Sequence, residues 1–234
     1  MNDHRNQLGQ TVGFPVPGWT ARPRPPREAM DGRYVRLEPV NVDAYAAGLF
    51  EAFSSDREGR IWTYLPYGPL ASMEETADWM RKTCLGDDPL FHAIIDKASG
   101  KPVGMASYLR IEPAVGVIEV GHINYAPALQ RTRGATEAMY LMMARVFDEL
   151  GYRRYEWKCD ALNAPSRAAA ERLGFSYEGL FRQATLYKGR NRDTAWYSII
   201  DTEWPRIKAA LEAWLNPANF DADGRQKQAL RARA

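Results

Sequence analysis

The run Gln130-Arg131-Thr132-Arg133-Gly134-Ala135-Thr136-Glu137-Ala138, set inside the longer stretch Glu119 to Phe181, decides the reading of this chain. Ahead of it, Val115 to Tyr125 reads as a strand. Behind it, Thr136 to Leu150 has the apolar spacing of an amphipathic helix. A strand that passes through a short basic loop into a helix gathers free backbone N–H groups, a helix N-terminus and Arg side chains around one point. That combination suits a diphosphate.

Outward from this run, turn residues punctuate a regular alternation. Arg33 to Pro39 forms a strand, and Asn41 caps a helix through Phe53. Ile61 to Pro69 is an aromatic loop broken by Pro and Gly. Ser72 to Thr83 is a second helix, opened by a capping-box pattern. Three strands follow, Phe91 to Asp96, Val103 to Ile111 and Val115 to Tyr125, the first two joined as a hairpin. Beyond the central helix come a strand at Tyr152 to Cys159 and a helix from Ser166 to Leu173, ended by Gly174. Strands at about 178–187 and 192–200 and a helix from Trp204 to Leu215 complete the order. This pattern predicts an α+β (mixed α/β) domain with a central, partly parallel twisted sheet flanked by helices. Three regions are expected: a Pro/Arg-rich arm at 1–31, the domain at 32–201, and a C-terminal helix with a basic tail of low order at 202–234.

The chain has 234 residues, which suits one well-buried domain. Thirty-one basic residues face 29 acidic ones, for a net charge of +2, and this argues against general nucleic-acid binding. No apolar run approaches the roughly 20 residues of a membrane span. The stretch Met1 to Gln7 lacks the apolar core of a secretory signal, so a cytoplasmic location is expected. Two cysteines, Cys84 and Cys159, make no disulfide framework, and three scattered histidines make no metal site.

The order and the motifs together resemble the GCN5-related N-acetyltransferase (GNAT) superfamily, in its RimJ/RimL-like branch. Glu119-Val120-Gly121 matches the acidic-apolar-Gly step on the family's fourth strand. Thr136-Glu137-Ala138 matches the start of the helix after its pyrophosphate loop. Asn163-Ala164-Pro165-Ser166, Glu171-Arg172-Leu173-Gly174-Phe175 and Glu178-Gly179 match the block after its fifth strand. The family loop reads Gln/Arg-x-x-Gly-x-Gly/Ala. Here Arg133 stands where the first glycine is expected and Gly134 falls one place late, so the loop path is expected to differ.

The resemblance implies transfer of an acetyl group from acetyl-CoA directly to a primary amine, either a protein N-terminus or a small amine, and it brings a homodimer with it as an analogy. A non-catalytic acyl-CoA sensor is the alternative reading. Backbone amides of His122, Ile123, Asn124 and Tyr125 would hold the pantetheine arm. Gln130, Arg131, Thr132, Arg133, Gly134, Ala135 and Thr136 would hold the diphosphate. Asn163 would face the pantetheine arm, or cap the following helix, or both. Glu119 is the candidate base through a water, against a role as a salt-bridged strand glutamate, and His122 is the second candidate. Ser166 would protonate or hydrogen-bond the departing thiolate, against a helix-capping role, because Ala170 occupies the place of the family's tyrosine. Cys159 is expected to be a buried, inert thiol. Trp62, Tyr64 and Tyr67, with Arg182, Tyr187 and Arg190, are candidates for substrate contact, although loop aromatics often simply pack.

Overall fold

The computed structural model describes residues 4–232, so the ends of the expected arm and tail, 1–3 and 233–234, lie outside the described residues. Two short strands, β1 (His4–Arg5) and β2 (Thr11–Val12), pair with each other. The main sheet contains β3 (Met30–Asp31), β4 (Val35–Pro39), β5 (Leu90–Asp96), β6 (Pro102–Glu112), β7 (Val117–Tyr125), β8 (Arg154–Asp160), β9 (Ser176–Tyr187) and β10 (Arg190–Ile200). Its spatial order is β3-β4-β5-β6-β7-β8-β10-β9. Every pair is antiparallel except β7 with β8, which is parallel. A parallel pair needs a crossover, and the central helix α3 (Arg133–Ala144) supplies it.

Helices cover the sheet unequally. On one face, α3, α4 (Ala164–Arg172) and α5 (Trp204–Leu215) enclose a core that includes Ile118, Val120, Met142, Tyr155, Phe175 and Ile207. On the other face, α1 (Val42–Ser54) and α2 (Met73–Thr83) pack over Phe91, Ala93 and Met105. The second face of β8 and β10 has no such cover. Because side chains alternate along a strand, Tyr155, Trp157 and Cys159 enter the core while Arg154, Glu156 and Lys158 stand on that other, polar face.

The helix starts follow local chemistry. Asn41 accepts from Ala44 N to cap α1, and Ser72 accepts from Glu75 N to cap α2. Each such cap is worth about 1 kcal/mol. The predicted helix at 136–150 begins earlier and ends differently. Thr132 Oγ1 accepts from Ala135 N (3.1 Å), so α3 starts at Arg133, and its C-terminal end widens into a π-helical turn at Arg145–Glu149.

Within the expected arm, Met30–Asp31 joins the main sheet as β3 and buries Met30, while the residues ahead of it are tied to the domain by hydrogen bonds. Trp19 donates to Ala114 O, Arg22 N to Pro113 O, and Arg27 to the carbonyls of Leu85 and Gly86. The C-terminal tail departs from expectation. Phe220 and Ala232 are buried, and Arg206 holds the Ala232 carbonyl at 2.7 Å. Packing against Trp214 and Leu215 orders a segment whose polar composition suggested none.

His92 on β5 is fully buried. Burial, with Arg145 nearby, lowers its pKa to about 3. Burial likewise lowers His122 to about 4. Both folded values lie below the unfolded value of about 6.5. The stability they contribute is therefore complete above pH about 6.5 and is lost as pH falls toward the folded values. Melting temperature should drop on acidification from pH 6.5 to 4, and His92→Phe should flatten that slope; an unaltered slope in the variant would contradict this.

Candidate active site

The site exists because β7 and β8 stop pairing. Their ladder runs from Val117–Arg154 to Val120–Trp157 and ends there. Strand β8 continues alongside β10 as far as Asp160. Strand β7 instead bulges, with His122 and Ile123 set against the single residue Ala106 of β6, and His122 takes a φ of +50°. A bulge bends its strand and increases local twist. A cleft of about 910 Å³ opens between the strands, lined by residues from Arg110 and Glu119 at one end to Arg131, Trp214 and Gln226 at the other.

Glu119 sits in this cleft, 3% exposed. Its Oε2 accepts from Arg110 (2.7 Å) and Lys158 (2.9 Å), while Oε1 has no hydrogen bond among the described residues. Burial raises the Glu119 pKa, against the opposing pull of Lys158 and Arg110. Arg110 arrives through a second bulge, where its φ is +47° and the Asp88 carboxylate accepts from the amides of Arg110 and Ile111. Lys158 also bridges to Glu156 (2.7 Å) and lies 3.8 Å from the Trp196 ring centroid. Glu119 is thus salt-bridged and cleft-facing at once. His122 lines the cleft as well and shares a hydrogen bond between Nδ1 and the Tyr67 hydroxyl (3.0 Å).

At the far end, the basic loop departs from the family's glycine pattern. Arg131, not Arg133, adopts the left-handed conformation (φ +60°). Gly134 lies inside the first turn of α3, where a Cβ would come within 2.8 Å of Val35 Cγ1. Its small size serves the docking of α3 on β4. Glu137 completes that docking by accepting from the amides of Arg33, Tyr34 and Val35 (2.6–2.9 Å). Gln130, Arg131, Thr132, Ala135 and Thr136 line the cleft. Arg133 does not: its guanidinium lies between the rings of Tyr34 (4.8 Å) and Phe220 (4.7 Å). Its side chain is corrected from a phosphate contact to a structural cation–π contact.

Asn163 caps α4, accepting from Ser166 N (3.1 Å), and also lines the cleft. Both expected roles are therefore compatible. Ser166 is not the cap; its Oγ accepts from Trp157 Nε1 (3.0 Å) and neighbours Cys159. Cys159 is buried, and burial pushes its thiol up. Ala170 is fully buried in the core.

Of the four candidate substrate aromatics, only Tyr64 lines the cleft, with its hydroxyl bonded to Leu162 O (3.0 Å). Trp62 is buried, edge-on to Phe53 at 5.2 Å and to Tyr67 at 6.2 Å. Tyr67 serves the cleft indirectly, through His122. Tyr187 donates to Asp160 Oδ2 (2.7 Å), is pushed up to about 12 chiefly by burial, and stays outside the lining. In this structure these three pack or position neighbouring side chains and do not line the cleft. Arg190 likewise braces the aromatic loop by donating to Thr63 O.

The profile of the Acetyltransferase (GNAT) domain matches residues 35–176. The chain belongs to the GNAT superfamily. A GCN5-related N-acetyltransferase from Brucella melitensis has a crystal structure with a TM-score of 0.90 at 52% identity, covering 92% of this chain and 97% of that one. A GNAT-family acetyltransferase from Chromobacterium violaceum follows at TM-score 0.78 and 40% identity, covering 84% and 98%. The Bacillus subtilis protein YdaF, named as a ribosomal N-acetyltransferase, is 25% identical over 174 residues, 72% of this chain and 90% of its own. This GNAT protein is an N-acetyltransferase with acetyl-CoA as acyl donor. Membership removes the non-catalytic sensor.

The residues present fit that donor. The Asn124 carboxamide is buried in the cleft wall with neither its oxygen nor its nitrogen bonded among the described residues, as an amide-rich pantetheine arm requires. Among the described residues, Arg131 has no hydrogen bond or carboxylate partner, and the amides of Arg133 and Gly134 at the helix start have no acceptor.

Among the cleft residues that escaped the sequence reading are Arg110, Lys158 and Arg172. Arg110 and Lys158 were legible as charges on strands but not as partners of Glu119. Arg172 stood inside a quoted motif. It donates to Thr136 Oγ1 (3.1 Å) and lies over the Trp214 ring at 4.7 Å.

Arg131→Glu should raise the Kd for CoA at least tenfold, a loss of about 1.4 kcal/mol or more. Arg133→Glu should lower the melting temperature more than it changes that Kd. Calorimetric titration and thermal melting of the two variants check this, and equal effects on CoA binding would contradict the placement of Arg133.

Proposed function

We propose that this enzyme acetylates a primary amine, the α-amine of a protein N-terminus or a small molecule, in the cytoplasm, with Glu119 as general base through a water. One observation carries the reading: a buried glutamate whose Oε2 is fixed by two cations and whose Oε1 is open to the cleft beside the β7 gap. Fixing one oxygen orients the other. The raised pKa makes the carboxylate a stronger base than an ordinary strand glutamate.

Acetyl-CoA supplies an activated acyl thioester when bound. The chain supplies the rest. The Asn124 carboxamide and the unpaired edge of β7 beyond Gly121 support the pantetheine arm, and Arg131, Thr132 and the α3 start support the diphosphate. A backbone N–H aimed at a developing oxyanion contributes about 3–4 kcal/mol to the transition state. Ser166 accepts from Trp157 and its hydroxyl lies against the Cys159 thiol, so a donor that already faces a sulfur stands at the place assigned to the departing thiolate. Deprotonating a lysine at pH 7 costs about 4.6 kcal/mol, whereas an α-amine near pKa 8 costs about 1–1.4 kcal/mol. A base acting through water meets the second demand more easily. The α-amine is therefore the favoured acceptor.

Glu119→Gln should lower kcat by about 10²–10³, a usual range for losing a general base. The wild-type rate should fall at acid pH with an apparent pKa above the ordinary carboxylate value, and the variant should lack that limb. A loss uniform across pH would remove Glu119 as base. Lys158→Met should move the acid limb upward, since removing a neighbouring cation favours the protonated carboxyl. A downward move, read from the same thiol-release assay, would contradict the coupling.

A further inference from the structure

The cleft does not end within the matched family region. Three of its lining residues, Arg192 on β10, Trp214 at the end of α5 and Gln226 in the tail, lie beyond residue 176. We propose that this C-terminal segment is part of the cofactor site, with Gln226 donating its side-chain N–H groups to phosphate oxygens of CoA next to Arg172 and Arg131.

The geometry makes the donor direction of Gln226 unambiguous. An indole N–H can only donate. Trp214 Nε1 points at Gln226 at 2.8 Å, so the carboxamide must present its oxygen to the indole. Its NH2 group is then turned away from Trp214, and no acceptor binds it among the described residues. On the same wall, Arg172 stacks on Trp214 and donates to the Thr136 hydroxyl in the first turn of α3. No carboxylate pairs with Arg172 or Arg131 among the described residues, so two positive charges at this end of the cleft are uncompensated by the protein. Charge-assisted hydrogen bonds to phosphate are the strong kind.

The tail is built to hold this position. Asn219 donates to Trp214 O and Gln228 O (3.1 Å each) and accepts from Gln228 N (2.9 Å). Phe220 packs edge-on to Trp214 at 5.2 Å and stacks under Arg133, the first residue of α3. The segment that carries Gln226 is thereby fastened to the helix whose N-terminus faces the diphosphate. This also gives Arg133 a purpose that its loop position did not suggest.

The test uses the full chain with Gln226→Glu and Gln226→Ala. A carboxylate still accepts from Trp214, so Gln226→Glu keeps the fold contact and replaces a donor by a negative charge. Calorimetry should show CoA binding weakened roughly tenfold or more in Gln226→Glu and less in Gln226→Ala. Pantetheine, which lacks every phosphate, should shift the melting temperature equally in all three proteins. A CoA Kd within twofold of wild type in both variants would overturn the inference, as would an equal loss for pantetheine. Failure of the unsubstituted chain to bind CoA would be a separate result, removing the cofactor reading and this inference with it.

Discussion

Four residue pairs, from Val117–Arg154 to Val120–Trp157, are all that join β7 to β8, and the rest of the molecule is organised around the place where that ladder ends. Within a buried sheet, unpaired backbone groups are costly unless something else satisfies them. Here the freed edge of β7 faces the cleft, and the His122–Ile123 bulge turns it away from β8. The same parting lets α3 and α4 bring their N-terminal turns to one cleft, since each follows the end of one of the two strands. The cleft thus follows from an interruption of the sheet, flanked by the starts of α3 and α4.

Carboxylates hold the surrounding backbone in its unusual shapes. Asp88 takes the two amides of the β6 bulge and so sends Arg110 toward Glu119. Glu137 takes three amides at the start of β4 and seats α3 against it. Asp160 takes Leu162 N and the Tyr187 hydroxyl at the β8 end. Each is a charged acceptor for groups that regular pairing leaves unsatisfied, a stronger arrangement than a neutral hydrogen bond. Glu119 differs from these three. It holds only side-chain cations, both on one oxygen, and its other oxygen has no hydrogen bond among the described residues.

Most strands and helices were legible because capping, turn residues and apolar period are local. Asn41 and Ser72 each bond within three residues of themselves, so a linear reading finds them. Thr132 was equally local, yet alignment on Thr136-Glu137-Ala138 placed the helix start too late and hid the cap. The site was legible in part. Glu119, Asn124, Asn163 and Ser166 all line one cleft. Trp62 and Tyr187 lie outside the cleft lining, and the sequence did not show this because an aromatic ring suits a core and a binding surface equally, and only its neighbours decide between them.

The sequence by itself determined the element order from β4 onward, the family and hence the acyl donor, because these rest on spacings within single segments. Tertiary structure alone decided which charges meet. Arg110 and Lys158 converge on one oxygen of Glu119 from two other strands. Arg133 leaves the phosphate loop for rings at Tyr34 and Phe220, and Gln226 returns from the far end of the chain to the cleft wall. Pairings of that kind depend on distances set by the folded sheet and its helices. No local period or motif encodes them.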